Sequence, residues 1–201
     1  MDDVYALREK KLNADFLQVS VNEEIYKPNG KYVSFAPIVF FGNNYGRQFP
    51  LSEYRYKIVT QLKRDYGNEF AIFGSGWHGL EAGNLNGQQE KEAMILRGAK
   101  IALSISHFDR ERYFSDRLLR AMFCGCAVIS HKYKGIEKDF DNTENIYWYD
   151  DYEELTESID ELFRNPKLLQ RLSIKGTEHA TNNFSYKNFT TELLNLINKY
   201  Q

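Results

Sequence analysis

The sequence predicts a doubly wound parallel α/β sheet of the Rossmann type, and three observations carry that prediction. Apolar runs of four to six residues recur, each closed by Gly, Asn or Ser. Stretches of helical period separate them, and the connections are short, as in successive βαβ units. The runs are continuously apolar rather than alternating, which is how strands covered on both faces read.

Ile38-Val39-Phe40-Phe41, entered from Pro37 and left at Gly42, is the first strand. After Pro50, Ser52 is placed to cap a helix over 52–66, with Tyr56, Val59, Leu62 and Lys63 at helical spacing and Gly67-Asn68 as its stop. Residues 70–73 form the next strand and end at Gly74-Ser75-Gly76. The segment 78–87 carries three glycines and little periodicity, so it reads as a loop with at most a short edge strand. A helix over 88–98 precedes a central strand over 100–106. Leu118, Leu119, Met122 and Phe123 mark a helix opened by Ser115 and ended by Gly125, followed by strands over 126–130 and 146–149. Helices over 151–164, 166–182 and 186–200 complete the chain, with Pro166 in a first turn. The simplest order for six such strands is 3-2-1-4-5-6, with ligands at the carboxyl ends near the switch between the first and fourth.

Residues 37–201 account for this sheet, whereas residues 1–36 do not fit it. The stretch 1–13 reads as an amphipathic helix and 15–28 as an extended lead-in, as if the chain began midway through a larger protein. With 26 basic and 28 acidic residues, the net charge of −2 excludes a polybasic nucleic-acid domain. Hydrophobic residues at 42% exclude a disordered tail, and two closely spaced cysteines, Cys124 and Cys126, make neither a disulfide scaffold nor a zinc site. No apolar run reaches the roughly 18 residues of a membrane span, and the N-terminus lacks the apolar core of a signal peptide. The expectation is a cytoplasmic protein that binds no nucleic acid. Aromatic residues, 15% of the chain with 14 Tyr and 14 Phe, are read mostly as core.

Two constellations could carry chemistry. Gly42-Asn43-Asn44-Tyr45-Gly46-Arg47 follows the first strand, where backbone amides can cradle phosphate and Arg47 and Arg55 can supply cations. It is neither G-x-G-x-x-G nor a Walker A loop, which argues against a dinucleotide cofactor or a P-loop NTPase. The second is the helix opened by Ser115-Asp116-Arg117, whose positive end points into the crevice. An arginine in that first turn opposes the helix dipole unless an anion compensates, which marks Arg117. His107 and His131 each follow a strand at its carboxyl end, where an imidazole either donates to phosphate or sits in a loop; for His131 the loop reading is the simpler one. His78 beside Trp77 could stack on a base, and His179 reads as surface. No spacing supports a Ser-His-Asp or Cys-His hydrolase.

Several segments together resemble a family. Arg117 through Cys124-Gly125-Cys126-Ala127-Val128-Ile129-Ser130, then Lys134-Gly135-Ile136-Glu137, Asp150-Asp151-Tyr152-Glu153-Glu154-Leu155, Asn165-Pro166 and the helix after Phe184-Ser185 are similar to the C-terminal domain of GT-B glycosyltransferases, nearest the CgeB-like group. Val21-Asn22-Glu23-Glu24-Ile25-Tyr26-Lys27-Pro28 resembles the linker before that domain, so the likeness covers about 15–200. It implies a donor-binding half for a nucleotide-diphosphate sugar. The diphosphate would lie on the loop after Gly42 and the Ser115 helix, and the base near Gly74 to Trp77 and Ser106 to Phe108. Arginine, lysine and helix dipoles would neutralise it without a metal, and no D-x-D motif stands at a strand end. The donor set implied is Gly42, Asn43, Asn44, Arg47, Arg55, Gly74, Trp77, His107, Ser115, Asp116, Arg117 and Arg120, with no catalytic residue assigned. Where relatives carry a ribose-binding glutamate, five residues before the helix-ending glycine, this chain has Arg120, expected to pair with Asp116 one turn earlier.

The acceptor half of a GT-B enzyme is not found in these residues, so the chain alone is expected to bind donor without transferring sugar. The exposed cleft face, with Tyr45, Phe49 and Tyr113, is expected to favour self-association or a partner. The alternative is a non-enzymatic nucleotide-sugar sensor, or a subunit completing a partner's active site.

Overall fold

In the computed structural model, which describes residues 1–201, five strands form one parallel sheet. They are β1 (Ile38–Phe41), β2 (Phe70–Phe73), β3 (Ile101–Ser104), β4 (Ala127–His131) and β5 (Tyr147–Tyr149), in the spatial order β2-β1-β3-β4-β5. Ile38 sits opposite both Phe70 and Ile101, and Ile101 opposite Ala127, so the apolar runs lie in register across the sheet. This is the predicted doubly wound order without its outermost strand. The segment 78–87 contributes only a bridge from Phe73 to Gly83, because His78, Gly79, Asn86 and Gly87 all take left-handed backbone and turn the chain repeatedly. Five strands therefore replace the expected six.

Period-two alternation splits each strand between two cores. Ile38, Phe40, Ile101, Leu103 and Ile129 pack beneath α2 (Ser52–Tyr66) and α5 (Tyr152–Arg164). Val39, Ala71, Phe73, Ala102 and Val128 pack beneath α3 (Gln89–Gly98), α4 (Asp116–Phe123) and the end of α6 (Pro166–Phe184). Each such buried side chain contributes about 1.5–3 kcal/mol against exposure, and both faces are filled. The helix ends are fixed locally: Asp151 and Asn165 accept from the N–H groups of Glu154 and Leu168, and Gly125 ends α4 at φ +87°. Ser52 departs from the prediction. It is the first residue of α2 rather than its cap, and its hydroxyl accepts from the Phe49 N–H at 3.0 Å.

The first 36 residues add no strand but pack onto the α3–α4 face. After α1 (Asp2–Glu9), the lead-in is held by Arg97, whose guanidinium donates to the carbonyls of Ile25, Lys27 and Lys31 at 2.6, 2.7 and 3.0 Å. Val21, Tyr26 and Ala36 are buried in that core. The terminal α7 (Tyr186–Lys199) buries no residue, and no helix is long and apolar enough to cross a membrane. This topology brings the loop after β1, the turn after β2, the loop after β3 and the N-terminus of α4 to one edge of the sheet.

Candidate functional site

The loops after β1 and β2 are clasped to each other. Gly42 N–H donates to the Phe73 carbonyl at 2.8 Å, Asn44 N–H to Ser75 at 2.8 Å, and Ser75 N–H to the Asn43 side-chain oxygen at 2.9 Å. The Asn44 amide donates to the Gly76 carbonyl and accepts from Gly46 N–H. Gly74 and Gly76 have positive φ and lie so close to the Gly42 and Asn44 carbonyls that a Cβ on either would overlap them. The N–H groups of Gly42, Asn44 and Gly46 are thus donated inside the protein, which leaves those of Asn43, Tyr45 and Arg47 as the loop's remaining donors.

Trp77 and Arg47, both in the expected donor set, stand elsewhere. Trp77 is fully buried, its indole N–H donating to the Gly42 carbonyl at 2.7 Å, so its ring is scaffold and not a platform for a base. Arg47 points to solvent with its side chain 88% exposed and pairs with Glu53 at 2.8 Å. A glycine-rich loop does not dictate where its arginine points.

Arg55 is the reverse case. It lies on the inner stripe of α2 with Ser52, Ile58, Val59 and Leu62, and is 1% exposed. Its guanidinium sits 4.9 Å from the Phe40 ring centroid and 5.7 Å from that of Trp77. Nη1 donates to the Asn43 carbonyl and to His107 Nε2, each at 2.6 Å. Nε and Nη2 are buried without any partner, and no carboxylate faces the group. Burial first, and the neighbouring Arg117 second, pull its pKa down to about 9, so it stays charged at neutral pH. A buried, unpaired cation is costly in a protein interior, and its unused donors lack any structural explanation.

The opposite wall is the start of α4. Ser115 has the extended backbone of an N-cap, but its side chain makes no capping bond. Arg117 lines a narrow cleft with Phe41, Ser104, Ile105 and Ser115, between the ends of β1 and β3, and its charge reaches both Arg55 and His107. The Arg55–His107 contact and the start of α4 with Arg117 thus both lie at the carboxyl end of the sheet, and the charge of Arg117 acts on both groups, an arrangement suited to an anion.

Asp116 and Arg120 belong to another cluster. Arg120 is hydrogen-bonded to Asp116, the pairing expected from the sequence, and donates to Glu92 of α3 at 3.0 Å over the Tyr26 ring. Tyr26 also donates its hydroxyl to Glu92, and burial raises the Glu92 pKa. Glu92 is thereby the hub that ties α3, α4 and the lead-in together. His131 is buried with neither ring nitrogen partnered, between the rings of Tyr54 and Tyr133. His78 is exposed, and His179 is partly buried with Nε2 2.7 Å from the Asp139 carbonyl rather than free on the surface. At the mouth of the cleft, Tyr45, Phe49, His107, Phe108 and Tyr113 form a run of ring contacts 4.9–5.2 Å apart. No three His, Cys, Asp or Glu side chains are grouped to hold a metal ion.

The comparisons with known proteins agree with this architecture. The chain is similar to sucrose-phosphate synthase from Thermosynechococcus elongatus, with a TM-score of 0.74 at 16% identity, over 98% of this chain and 56% of that one. It is similar to Anabaena HepE in complex with UDP and glucose, with a TM-score of 0.70 at 11% identity, over 92% of this chain and 57% of that one. The C-terminal domain of a glycosyl transferase group 1 family protein from Francisella tularensis matches with a TM-score of 0.54 at 16% identity, over 83% of this chain and 99% of that domain. The chain thus spans a little over half the length of the first two. At these identities the likeness establishes the fold, that of the C-terminal half of a GT-B glycosyltransferase. No curated protein sequence matches the chain. Residues 47–195, which run from the loop after β1 through most of α7, match the family described as glycosyl transferase-like, and by that match over nearly three quarters of its length the chain belongs to this family.

Proposed function

We propose that the cleft at the ends of β1 and β3 binds the diphosphate of a nucleoside-diphosphate sugar, and that the chain is the donor half of an enzyme transferring the sugar to an acceptor hydroxyl. The observation that carries this reading is Arg55: a buried guanidinium with Nε and Nη2 unpartnered, no acid facing it, and the charge of Arg117 acting on it. An anion completes such a site, and the UDP complexes of Anabaena HepE, similar in fold, support a nucleotide as its source.

In the chemistry proposed, Arg55, Arg117 and the N-terminus of α4 stabilise the negative charge that builds on the leaving diphosphate as the glycosidic bond breaks. Cations built into the protein serve this without a metal. The Gly42–Asn44 and Gly74–Gly76 backbone shapes the wall for the nucleoside. The acceptor and the base that deprotonates it come from residues outside this sheet, in another domain or another chain. Without them the effective-molarity contribution, roughly 7–11 kcal/mol of barrier, is missing. The sequence likeness to the CgeB-like group rests on the ordered segments from Arg117 to Ser185.

The test is calorimetry of the 201-residue chain with UDP, GDP, their sugars and inorganic phosphate, followed by incubation of labelled UDP- and GDP-sugars with acceptors. Binding of a nucleoside diphosphate or its sugar, tighter than phosphate and without multiple-turnover transfer, is expected. Absence of binding across the panel overturns the donor site, and sustained transfer overturns the division of labour.

A further inference from the structure

The contact between Arg55 and His107 fixes the proton state of the imidazole. A guanidinium carries five N–H donors and no acceptor, so the ring nitrogen facing it must present a lone pair. His107 Nε2 lies 2.6 Å and Nδ1 3.2 Å from Arg55 Nη1; the nearer nitrogen accepts, and the ring is therefore neutral with its proton on Nδ1. The groups packed around it favour the same state. Arg55 faces it from α2, the charge of Arg117 on α4 acts on it, the Tyr45 and Phe49 rings lie 5.2 and 4.9 Å away, and Asp109 on the same loop acts on His131 instead. Burial, then Arg55, then Arg117 bring the His107 pKa down to about 4. Independently of the ring, Nε and Nη2 of Arg55 are buried and have no partner. The cluster thus has excess donors, and of its two acceptors, the Asn43 carbonyl and the imidazole, the imidazole can be converted into another donor by a proton.

We propose that an anion entering this cleft binds together with one proton, taken up from solvent by His107, so that the ring changes from an acceptor of Arg55 into a further donor to the ligand. The proposal rests on the reading of the cleft as a nucleoside-diphosphate-sugar site and adds a regulatory property to it. Two negative charges beside Arg55 and Arg117 cancel the field that keeps the ring neutral, so protonation becomes favourable. A protonated ring no longer accepts from Nη1. The contact opens, and both groups turn N–H bonds toward the phosphate oxygens. Affinity then increases as the pH falls, because the bound state holds more protons than the free one. His107 is a positioning residue in the free protein and a ligand-binding one in the complex.

The experiment is calorimetry with UDP- and GDP-sugars, whose phosphates do not titrate between pH 5 and 8, in buffers of different ionisation enthalpy. If the bound ring returns to the ordinary histidine pKa of about 6.5, uptake is ~0.7 proton at pH 6, and affinity at pH 5.5 is ~8-fold tighter than at pH 7. The comparison variant is His107→Gln, whose amide oxygen still accepts from Arg55 but takes up no proton. Uptake by the parent and its loss in His107→Gln, with a flat pH profile, is the expected pair of results. Binding by the parent without buffer dependence overturns the proposal while leaving the donor site intact, as does uptake that persists in His107→Gln. Failure of every sugar nucleotide to bind overturns the proposal together with the site. Where the variant does not fold, buffer dependence of the parent alone decides.

Discussion

Gly42 has no side chain because Arg55 occupies the space: a Cβ built there would overlap Nη2 of the guanidinium, which sits beneath the loop after β1. The glycine answers a close approach of one side chain to the backbone, not a turn, for Gly42 is absent from the residues with positive φ. Gly42→Ala should therefore fold with a modest loss, about 1–3 kcal/mol from overpacking, while pushing Arg55 off His107 and the Asn43 carbonyl. Urea unfolding combined with calorimetry checks this. A variant that is destabilised but binds sugar nucleotides as well as the parent would show that the guanidinium position is irrelevant to the ligand.

Stability and binding should separate at Arg55 itself. In the free protein the buried charge lacks a carboxylate, and replacing such a group by an apolar side chain of similar volume is commonly neutral or stabilising by about 1–4 kcal/mol. Arg55→Met is expected to raise the urea midpoint and to abolish nucleotide binding. A variant less stable than the parent would mean that the hydrogen bonds to Asn43 and His107 outweigh desolvation.

The fold was readable because its signals are local. Ile38–Phe41 and Ala127–His131 are continuously apolar, so strands buried on both faces announce themselves, and Pro166 and Gly125 mark helix limits within a residue or two. The edge strand failed for a local reason as well, since three glycines leave nothing to hold a ladder. The site was only half readable. The end of β1 and the start of α4 do line one cleft, but which arginine of the β1 side is drawn inward depends on a contact between residues 52 positions apart, Arg55 and His107. One signal was available: Arg55 stands three, four and seven residues before Ile58, Val59 and Leu62, a charge in the middle of an apolar stripe. Arg47 follows the glycines and looks the better phosphate ligand, yet no nearby packing draws it inward.

Arg120 should matter to the scaffold. Arg120→Met leaves Glu92 buried with only the Tyr26 hydroxyl, which at pH 7 costs about 3–5 kcal/mol. The penalty should shrink in acid. Burial raises the Glu92 pKa above its unfolded value of about 4.3, so the ionised form is the destabilising one; the favourable contribution is full below that value and lost as pH rises through the folded pKa. Urea unfolding at pH 7 and pH 5 reads the difference. A penalty that is constant or larger at pH 5 would place the cost in packing over the Tyr26 ring instead.

Arg117 and Arg47 provide the sharpest contrast between a built site and a basic loop. Arg117 lines the cleft beside Phe41 and Ser104 and its charge lowers the pKa of both Arg55 and His107, whereas Arg47 is committed to solvent and Glu53. Removing a charge-assisted contact should weaken sugar-nucleotide binding by roughly 1.5–3 kcal/mol in Arg117→Ala, about one to two decades in Kd. Arg47→Ala should stay within a few tenths of a kcal/mol, as exposed ion pairs usually do. The free protein offers a second reading of the same residue. Deleting the Arg117 charge relieves part of the field on His107, so its imidazole should titrate at a higher pH in Arg117→Ala than in the parent, which an NMR titration of the ring resonances detects without any ligand. An unchanged titration would mean that Arg117 stands too far from His107 to share an anion with it, and the two walls of the cleft would then have to act on separate groups of the ligand.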